Sequence, residues 1–301
     1  MKKIFILGSL NMDVVIGADR IPEQGETLAG YNFMLNPGGK GANQAIACAK
    51  AEGQVYMAGC VGCDAFGKQM VQALQQAGVA CDYIRQVSSP SGTAVIIVVD
   101  ADNRIIINAG ANADVGRGDI DALLQLAQKG DIFLAQLEVP LDIVQYGLMQ
   151  AKQKGMLTLL NPAPANTACQ GLLPYTDILI PNEIELAILG GSADFNIAAN
   201  NLLEKYACQL IVTLGDKGSV LIKEGAKHYI DSYEVKVVDT TGAGDTYCGY
   251  LAVGLAQGKP MLQSMEYASA AAALTVTLEG ASKAIPDNCQ VKEFLKKYKN
   301  Q

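Results

Sequence analysis

The segment Asp239-Thr240-Thr241-Gly242-Ala243-Gly244-Asp245-Thr246-Tyr247 sets three small residues directly before a carboxylate. Apolar alternation over residues 233–238 reads as a strand, and Tyr247, Tyr250, Leu251 and Leu255 fall at helical spacing. Gly242, Ala243 and Gly244 then occupy a strand-to-helix turn, where free backbone N–H groups and the helix dipole can receive an anion. A simple anion receptor gains nothing from Asp245 in that first turn. A carboxylate is useful there if the ligand brings a hydroxyl that must be held and deprotonated while charge grows on a neighbouring phosphoryl group. Phosphoryl transfer passes through a loose transition state, so a weak base that orients the hydroxyl and takes its proton late is enough. The adjacent amides and the helix terminus are expected to keep Asp245 ionised. The plainer alternative is an ordinary first-turn Asp that favours the dipole.

Two other Gly-rich segments compete for a phosphate or a sugar. Asn36-Pro37-Gly38-Gly39-Lys40-Gly41-Ala42-Asn43-Gln44 leads into a helix read over 45–50. Its glycines allow close approach to the backbone while Lys40 and Asn43 project donors, although a flexible turn before a helix would look the same. Gly62-Cys63-Asp64-Ala65-Phe66-Gly67-Lys68-Gln69 is almost a P-loop. It has Gln69 where a Ser or Thr hydroxyl is needed for magnesium, and Asp64 puts a carboxylate inside the would-be nest. We read it as mainly structural.

These residues need a frame. Beyond about residue 110 strand and helix alternate: strands at 131–137, 156–160, 177–180 and 209–214, with helices at 141–154 and starting near Asn182 and Asp194. The pattern predicts an α/β fold, a mostly parallel, doubly wound sheet flanked by helices. Ligands of such sheets bind outside the carboxyl ends of the strands. Asn11 and Asp13 follow a strand at 4–7, and Glu138 follows the strand at 132–137. Asn182 and Glu185 follow 178–180, Thr213, Gly215 and Gly218 close 210–214, and Asp239 follows 235–238. Together they form a polar rim on one edge. Two insertions break the alternation: short runs at 14–16 and 27–35 within 11–36, and a hairpin at 92–108 with its turn at 100–103. Four strands without partner helices predict a small β lid over the site; the alternative is an extension of one sheet edge.

Composition narrows the function classes. With 301 residues, half of them apolar, the chain can bury a large core, and we read it as one domain over 1–301 carrying the lid. A net charge of −7 argues against nucleic acid or an anionic membrane as partner. The N-terminal apolar run is broken too early, by Gly8, Ser9, Asn11 and Asp13, for an export signal or a span, so a soluble, cytoplasmic protein is expected. Eight cysteines then read as reduced core residues rather than a disulfide framework. Cys60 and Cys63 form a lone CxxC, and with His228 the only histidine no His-rich metal site is available.

Asp239-Thr-Thr-Gly-Ala-Gly-Asp245 resembles the C-terminal signature of the phosphofructokinase-B, or ribokinase-like, sugar kinases, and Gly38-Gly39-Lys40-Gly41-Ala42-Asn43 resembles their N-terminal one. The likeness runs from Gly8 to about Pro286. The segments at 8–13, 108–112, 136–138 and 160–165 are most similar to the ribose-phosphorylating members. The resemblance implies a nine-stranded or similar core, a lid often shared across a homodimer, and transfer of the ATP γ-phosphate to the 5-hydroxyl of D-ribose. Kinases for 2-deoxyribose, fructose or adenosine are the nearest alternatives.

Carried over, Asp245 would be the base and Gly242, Ala243 and Gly244 the anion hole. Asn11, Asp13, Gly38, Gly39, Lys40, Asn43 and Glu138 would hold the sugar. Asn182, Thr213, Gly215, Gly218, Gly244 and Ser269 would line the ATP site, and Asn182 with Glu185 match an NxxE element linked to Mg2+. A monovalent cation (K+) would sit by Asp239 and Thr241 with backbone oxygens near Thr275, Leu278, Gly280 and Ala284. Ser269 and Cys63 depart from the family's usual residues, a larger polar side chain and Asp respectively.

Overall fold

A computed structural model describes residues 1–100, 102–223 and 225–299. Its first strand, β1 (Ile4–Leu7), shows the rule that the main sheet obeys. Ile4 and Ile6 enter one apolar layer, Phe5 and Leu7 the other, and all four are fully buried. A strand covered on both faces needs a continuous apolar run and helices on either side.

Eight more strands join it: β4 (Val55–Gly62), β5 (Ala80–Val87), β8 (Ile132–Ala135), β9 (Leu157–Leu160), β10 (Ile178–Leu179), β11 (Gln209–Thr213), β12 (Ser219–Lys223) and β13 (Ala226–Ile230). The order across the sheet is β13-β12-β11-β10-β9-β8-β1-β4-β5. All neighbours are parallel except β11–β12 and β12–β13.

One layer holds α1 (Lys40–Lys50), α2 (Ala65–Ala77), α7 (Ala243–Ala256), α8 (Met261–Thr275) and α10 (Asn288–Lys299). The other holds α3 (Arg117–Leu124), α4 (Leu141–Gln153), α5 (Glu183–Gly190) and α6 (Phe195–Leu203). This is the expected doubly wound architecture.

The two insertions build a separate four-stranded sheet rather than an edge of the first. Its order is β3 (Tyr31–Gly38), β2 (Asn11–Gly17), β6 (Gly92–Val99) and β7 (Asp102–Asn108). The strand read at 27–35 thus begins and ends later, and Ala101, in the expected hairpin turn, lies outside the described residues.

Other sequence readings need correction. Residues 233–238 form no strand: β13 already ends that edge, and the segment finds no ladder partner. Its alternation instead turns Tyr233 edge-on against Phe294 and Tyr298 of α10 while Val237 and Val238 stay exposed. The first helix starts at Lys40, not Ala45. Gly39, at φ 94°, turns the chain where a Cβ would press within 2.9 Å of the Ser9 carbonyl and 2.7 Å of the Asn11 nitrogen. The Ala42 and Asn43 amides then donate to Ser9 and Gly39 carbonyls, so the helix is formed five residues early. Among the cysteines, all free, Cys63 and Cys289 are exposed rather than in the core.

The contact that matters most for the site is α1 against α7. A Cβ on Gly249 would lie 2.5 Å from the Ala47 Cβ and 2.9 Å from the Gln44 carbonyl oxygen. Cys48 Sγ donates to the Gly249 carbonyl at 3.3 Å. Small residues let the two helices approach until side chains at the start of α1 reach the first turn of α7. Gly249→Val should therefore overpack this crossing and cost about 1–3 kcal/mol. Urea unfolding should show a lower midpoint at unchanged slope; an unshifted midpoint would mean that the helices can separate freely.

Candidate active site

Gly242, at φ 79°, is the N-cap of α7, and its turn packs on Ala281, whose Cα would be 3.0 Å from an added Cβ. Among the described residues the N–H groups of Gly242 and Gly244 have no partner, while that of Ala243 reaches the Thr240 carbonyl at a long 3.3 Å. The turn therefore keeps donors available for an anion, as its sequence suggests.

Asp245 follows in the first turn and is 8% exposed. Its Oδ2 accepts a hydrogen bond from Asn43 Nδ2 and its Oδ1 one from Gln44 Nε2, both at 3.0 Å. Burial raises its pKa above the ordinary carboxylate value, outweighing the nearby Lys40 ammonium and the two side-chain amides. Desolvation thus acts against the adjacent amides that were expected to favour the ionised form, and the hydrogen-bond partners of the carboxylate are side chains of α1.

Beside it lies a second cluster. Glu138, three residues past β8, accepts hydrogen bonds on Oε2 from Ser9 Oγ at 2.5 Å, the Lys40 amide at 3.1 Å and Asn11 Nδ2 at 3.4 Å. Asn11 Oδ1 accepts from Asn112 Nδ2 at 2.8 Å, and Asn112 Oδ1 accepts from the Leu10 amide at 2.9 Å. Asp13 lies two residues along β2, opposite Asn36 of β3. A Cβ on Gly38 would come within 2.6 Å of Asp13 Oδ2, so only glycine leaves that carboxylate its place.

Burial first, then Glu138 and Asp245, push the Asp13 carboxyl up to about 7, against the pull of Lys40. Lys40 feels the reverse. Burial pulls its ammonium down, but Asp245, Glu138, Glu185 and Cys248 outweigh it and leave the pKa above its ordinary value. The cluster is one cation among carboxylates, rich in both donors and acceptors. Among the described residues Asn43 Oδ1 is buried with no partner, an acceptor that a ligand hydroxyl would satisfy.

On the other side of Gly244 opens a cavity of about 750 Å³. Asn182, Thr213, Gly215, Gly218, Gly244 and Ser269 all line it, so the sequence-derived nucleotide residues gather in one place. Val235, Val237, Ala272 and Val276 give it apolar walls suited to a flat ring. The buried Ser269 Oγ has no partner among the described residues. Glu185 does not line the cavity. Asn182 Oδ1 accepts from the Glu185 amide and Glu185 Oε2 from the Asn182 amide, each at 2.8 Å, a capping box that starts α5. Burial raises the Glu185 pKa, with the Asn182 amide and Lys40 opposing it.

Asp239 ties two loops together. Its Oδ1 accepts from the Thr241 amide at 2.9 Å and hydroxyl at 2.7 Å, and its Oδ2 from the Gly280 amide at 2.9 Å. Although burial opposes them, these bonds hold its carboxyl below the ordinary value, so it stays negative. Thr275 is buried and its hydroxyl donates to the Ala271 carbonyl, while Leu278 is exposed and Ala284 buried in α9 (Ala281–Ala284). An anionic carboxylate, a hydroxyl and main-chain oxygens make a hard, all-oxygen donor set, which fits a hard cation.

The near-P-loop resolves as structure. Asp64 Oδ1 accepts from the Gly67 amide at 2.8 Å and Ser91 Oγ at 2.7 Å, and Oδ2 accepts from the Ser91 amide at 2.8 Å. The chain's own carboxylate fills the nest.

Gln44, Asn161, Asn112 and Ser9 were given no role by the sequence reading. Gln44 stands in the Gly-rich signature, so its position was visible; its partner 201 residues away was not.

The pfkB family carbohydrate kinase model matches residues 1–288. A ribokinase of Schizosaccharomyces pombe is 38% identical, covering 97% of each chain. A deoxyribokinase of Salmonella typhi is 34% identical, over 97% of this chain and 98% of that one. The structure of Arabidopsis thaliana ribokinase complexed with ribose and ATP superposes with a TM-score of 0.91 at 34% identity, covering 98% of this chain and 99% of that one. A match spanning almost the whole sequence, on the same two-sheet architecture, has one consequence: the chain belongs to the pfkB family of carbohydrate kinases.

Proposed function

We propose that this chain transfers the γ-phosphoryl group of ATP to the 5-hydroxyl of D-ribose, working as one kinase unit with its lid over the sugar. The observation that carries the reading is the position of Asp245. It stands at the junction of the glycine turn, the 750 Å³ cavity lined by Gly244, and the Asn43–Lys40–Glu138 cluster.

ATP would enter the cavity with its base between Val235, Val237, Ala272 and Val276, Ser269 supplying a polar contact, and its phosphates toward Asn182, Thr213, Gly215, Gly218 and Gly244. The sugar would lie over Gly38 and Gly39, with hydroxyls on Asn11, Asp13, Lys40, Asn43 and Glu138. Asp245 orients the 5-hydroxyl in line with the γ-phosphorus and accepts its proton as the new P–O bond forms and the bond to the ADP oxygen breaks. The amides of Gly242, Ala243 and Gly244 receive the charge that grows on the transferring group. Lys40 offsets the surrounding carboxylates, which would otherwise repel a polyphosphate.

Mg2+, when bound with ATP, neutralises phosphate charge. Glu185, whose Oε1 lies outside the capping box, would help to hold it. K+ would be held by Asp239, Thr241 and main-chain oxygens of Thr275, Leu278, Gly280 and Ala284, fixing the loop that aims the amides. A homodimer through the lid is supported by the apolar side chains that β3 and β7 leave exposed, Tyr31, Phe33, Ile105 and Ile106 among them. A cytoplasmic location suits an ATP-dependent enzyme, and among the described residues no helix is long and apolar enough to cross a membrane.

A coupled ADP-release assay over ribose, 2-deoxyribose, fructose and adenosine, with and without potassium, should give ribose the highest kcat/KM. A far higher value for another sugar would overturn the substrate. The Salmonella relative makes 2-deoxyribose the sharpest competitor. Asp245→Asn, which cannot take a proton, should lower kcat by about two to four orders of magnitude and leave ATP affinity nearly unchanged. Full turnover in that variant would refute the role of the base.

Asp13 adds a pH dependence. Its carboxyl is pushed up to about 7, so protonation below that value removes an acceptor for a sugar hydroxyl. The KM for ribose should therefore fall as pH rises through neutrality, and Asp13→Asn should raise KM and flatten the profile. An unchanged profile in that variant would assign the titration elsewhere.

A further inference from the structure

We propose that Gln44 is a positioning residue for the base, its amide locked in one orientation by Asn161 so that it aims the Asp245 carboxylate. The proposal rests on the reading of Asp245 as the base of a sugar kinase.

The orientation follows from donors and acceptors alone. The Ile180 carbonyl can only accept, so Asn161 turns its Nδ2 toward it, at 2.9 Å. Asn161 Oδ1 must then face Gln44, and it accepts from Gln44 Nε2 at 3.1 Å. The second hydrogen of the same Nε2 goes to Asp245 Oδ1 at 3.0 Å. Both donors of Gln44 are used, and its Oε1 accepts from Gln136 Nε2 at 2.5 Å. Turning the Gln44 amide by half a revolution would set its oxygen against two acceptors, Asn161 Oδ1 and Asp245 Oδ1. One orientation remains.

The chain of amides ties together several parts of the sheet's carboxyl edge. Gln136 follows β8, Asn161 follows β9, Ile180 follows β10, and Gln44 lies on α1. Gln44 and Gln136 have no solvent exposure at all. Room for them is made by Gly8, whose Cβ would lie 2.2 Å from Gln136 Oε1 and 2.6 Å from the Gly41 Cα. Buried amides are costly, the more so because Gln136 Oε1 has no partner among the described residues, and the packing of α1 on the sheet would be served as well by leucine.

What leucine cannot do is fix a carboxyl plane. The terminal torsion of an aspartate is broad, and Asn43 alone, on Oδ2, would leave it free to swing. A second donor on Oδ1 removes that freedom and favours the ionised form.

The groups facing Asp245 are Lys40 from α1, Asp13 from β2, Glu138 after β8, Glu185 from α5 and Cys248 from α7. All stay in place when Gln44 is changed, so a shift of the acid limb of kcat between wild type and a position-44 variant reports the lost amide.

In Gln44→Leu, kcat should fall about ten- to a hundredfold, with KM for both substrates within about threefold and the acid limb displaced upward by about one unit. Gln44→Glu, nearly isosteric, sets a carboxylate against two acceptors. It should move the limb the same way and further, and it keeps the test open if the leucine variant folds poorly. Wild-type kcat and an unmoved limb in either folded variant would overturn the proposal. So would a fall in kcat accompanied by raised KM for both substrates and an unmoved limb, the signature of a merely structural role. Carboxyl 13C NMR titration of Asp245 in wild type and Gln44→Leu reads the same upward shift without turnover. If no sugar is phosphorylated by the wild type, the functional reading fails while this titration still decides the role of Gln44.

Discussion

The structure depends on one unfavourable act made tolerable: the near-complete burial of the Asp245 carboxylate. A buried carboxylate tends to take up a proton, and here burial does raise its pKa. Lys40 and the amides of Asn43 and Gln44 oppose that tendency, and all three come from the first turns of α1. The close packing of α1 on α7 at Gly249 is therefore electrostatic in purpose as well as steric. A crossing even slightly wider would lengthen both 3.0 Å bonds and leave the carboxylate with less to offset desolvation.

The same trade governs the Glu138–Asp13 cluster. Glu138 is held on one oxygen by three donors, while Asp13 has its carboxyl raised toward neutrality by burial and by its acidic neighbours. Two carboxylates in one pocket thus have unlike environments. One accepts within a hydrogen-bond cluster, and the other stands on the lid sheet with its carboxyl raised to about 7. Lys40 is the cation that makes their coexistence possible, and its own pKa rises against burial because of Asp245 and Glu138 above all.

The core fold was legible because its physics is local. Doubly buried strands such as β1 show continuous apolar runs, and Gly-rich turns before helices are visible as such. The capping box of α5 was present in Asn182 and Glu185, though its first use is to start the helix rather than to meet a ligand. The segment 233–238 was misread because alternation records which side chains are buried, not whether a neighbouring strand exists to pair with. The start of α1 was missed because it depends on the Ser9 carbonyl, more than thirty residues earlier, accepting the Ala42 amide. Gln44 was visible but mute: its role exists only once α1 and α7 touch. Contacts across the fold, unlike periodicity along it, leave no trace in a single sequence.

The loop after α8 shows how distant parts of the site are kept in register. The Val276 carbonyl accepts the Val238 amide at 2.7 Å, and the Gly280 amide donates to Asp239, whose other oxygen holds Thr241 at the foot of the glycine turn. One residue on, Ala281 packs against Gly242 itself. Then Ser282 donates to the Pro37 carbonyl at 2.8 Å and Lys283 to Asn36 Oδ1 at 2.9 Å, both on lid strand β3. From the lid to the amides of the glycine turn the path is therefore continuous, through α9 and one ionised carboxylate. A rearrangement of this loop could not stay local. It would tilt the amides of the turn and shift the strand that faces Asp13, so anything that stiffens the loop stiffens both halves of the site at once.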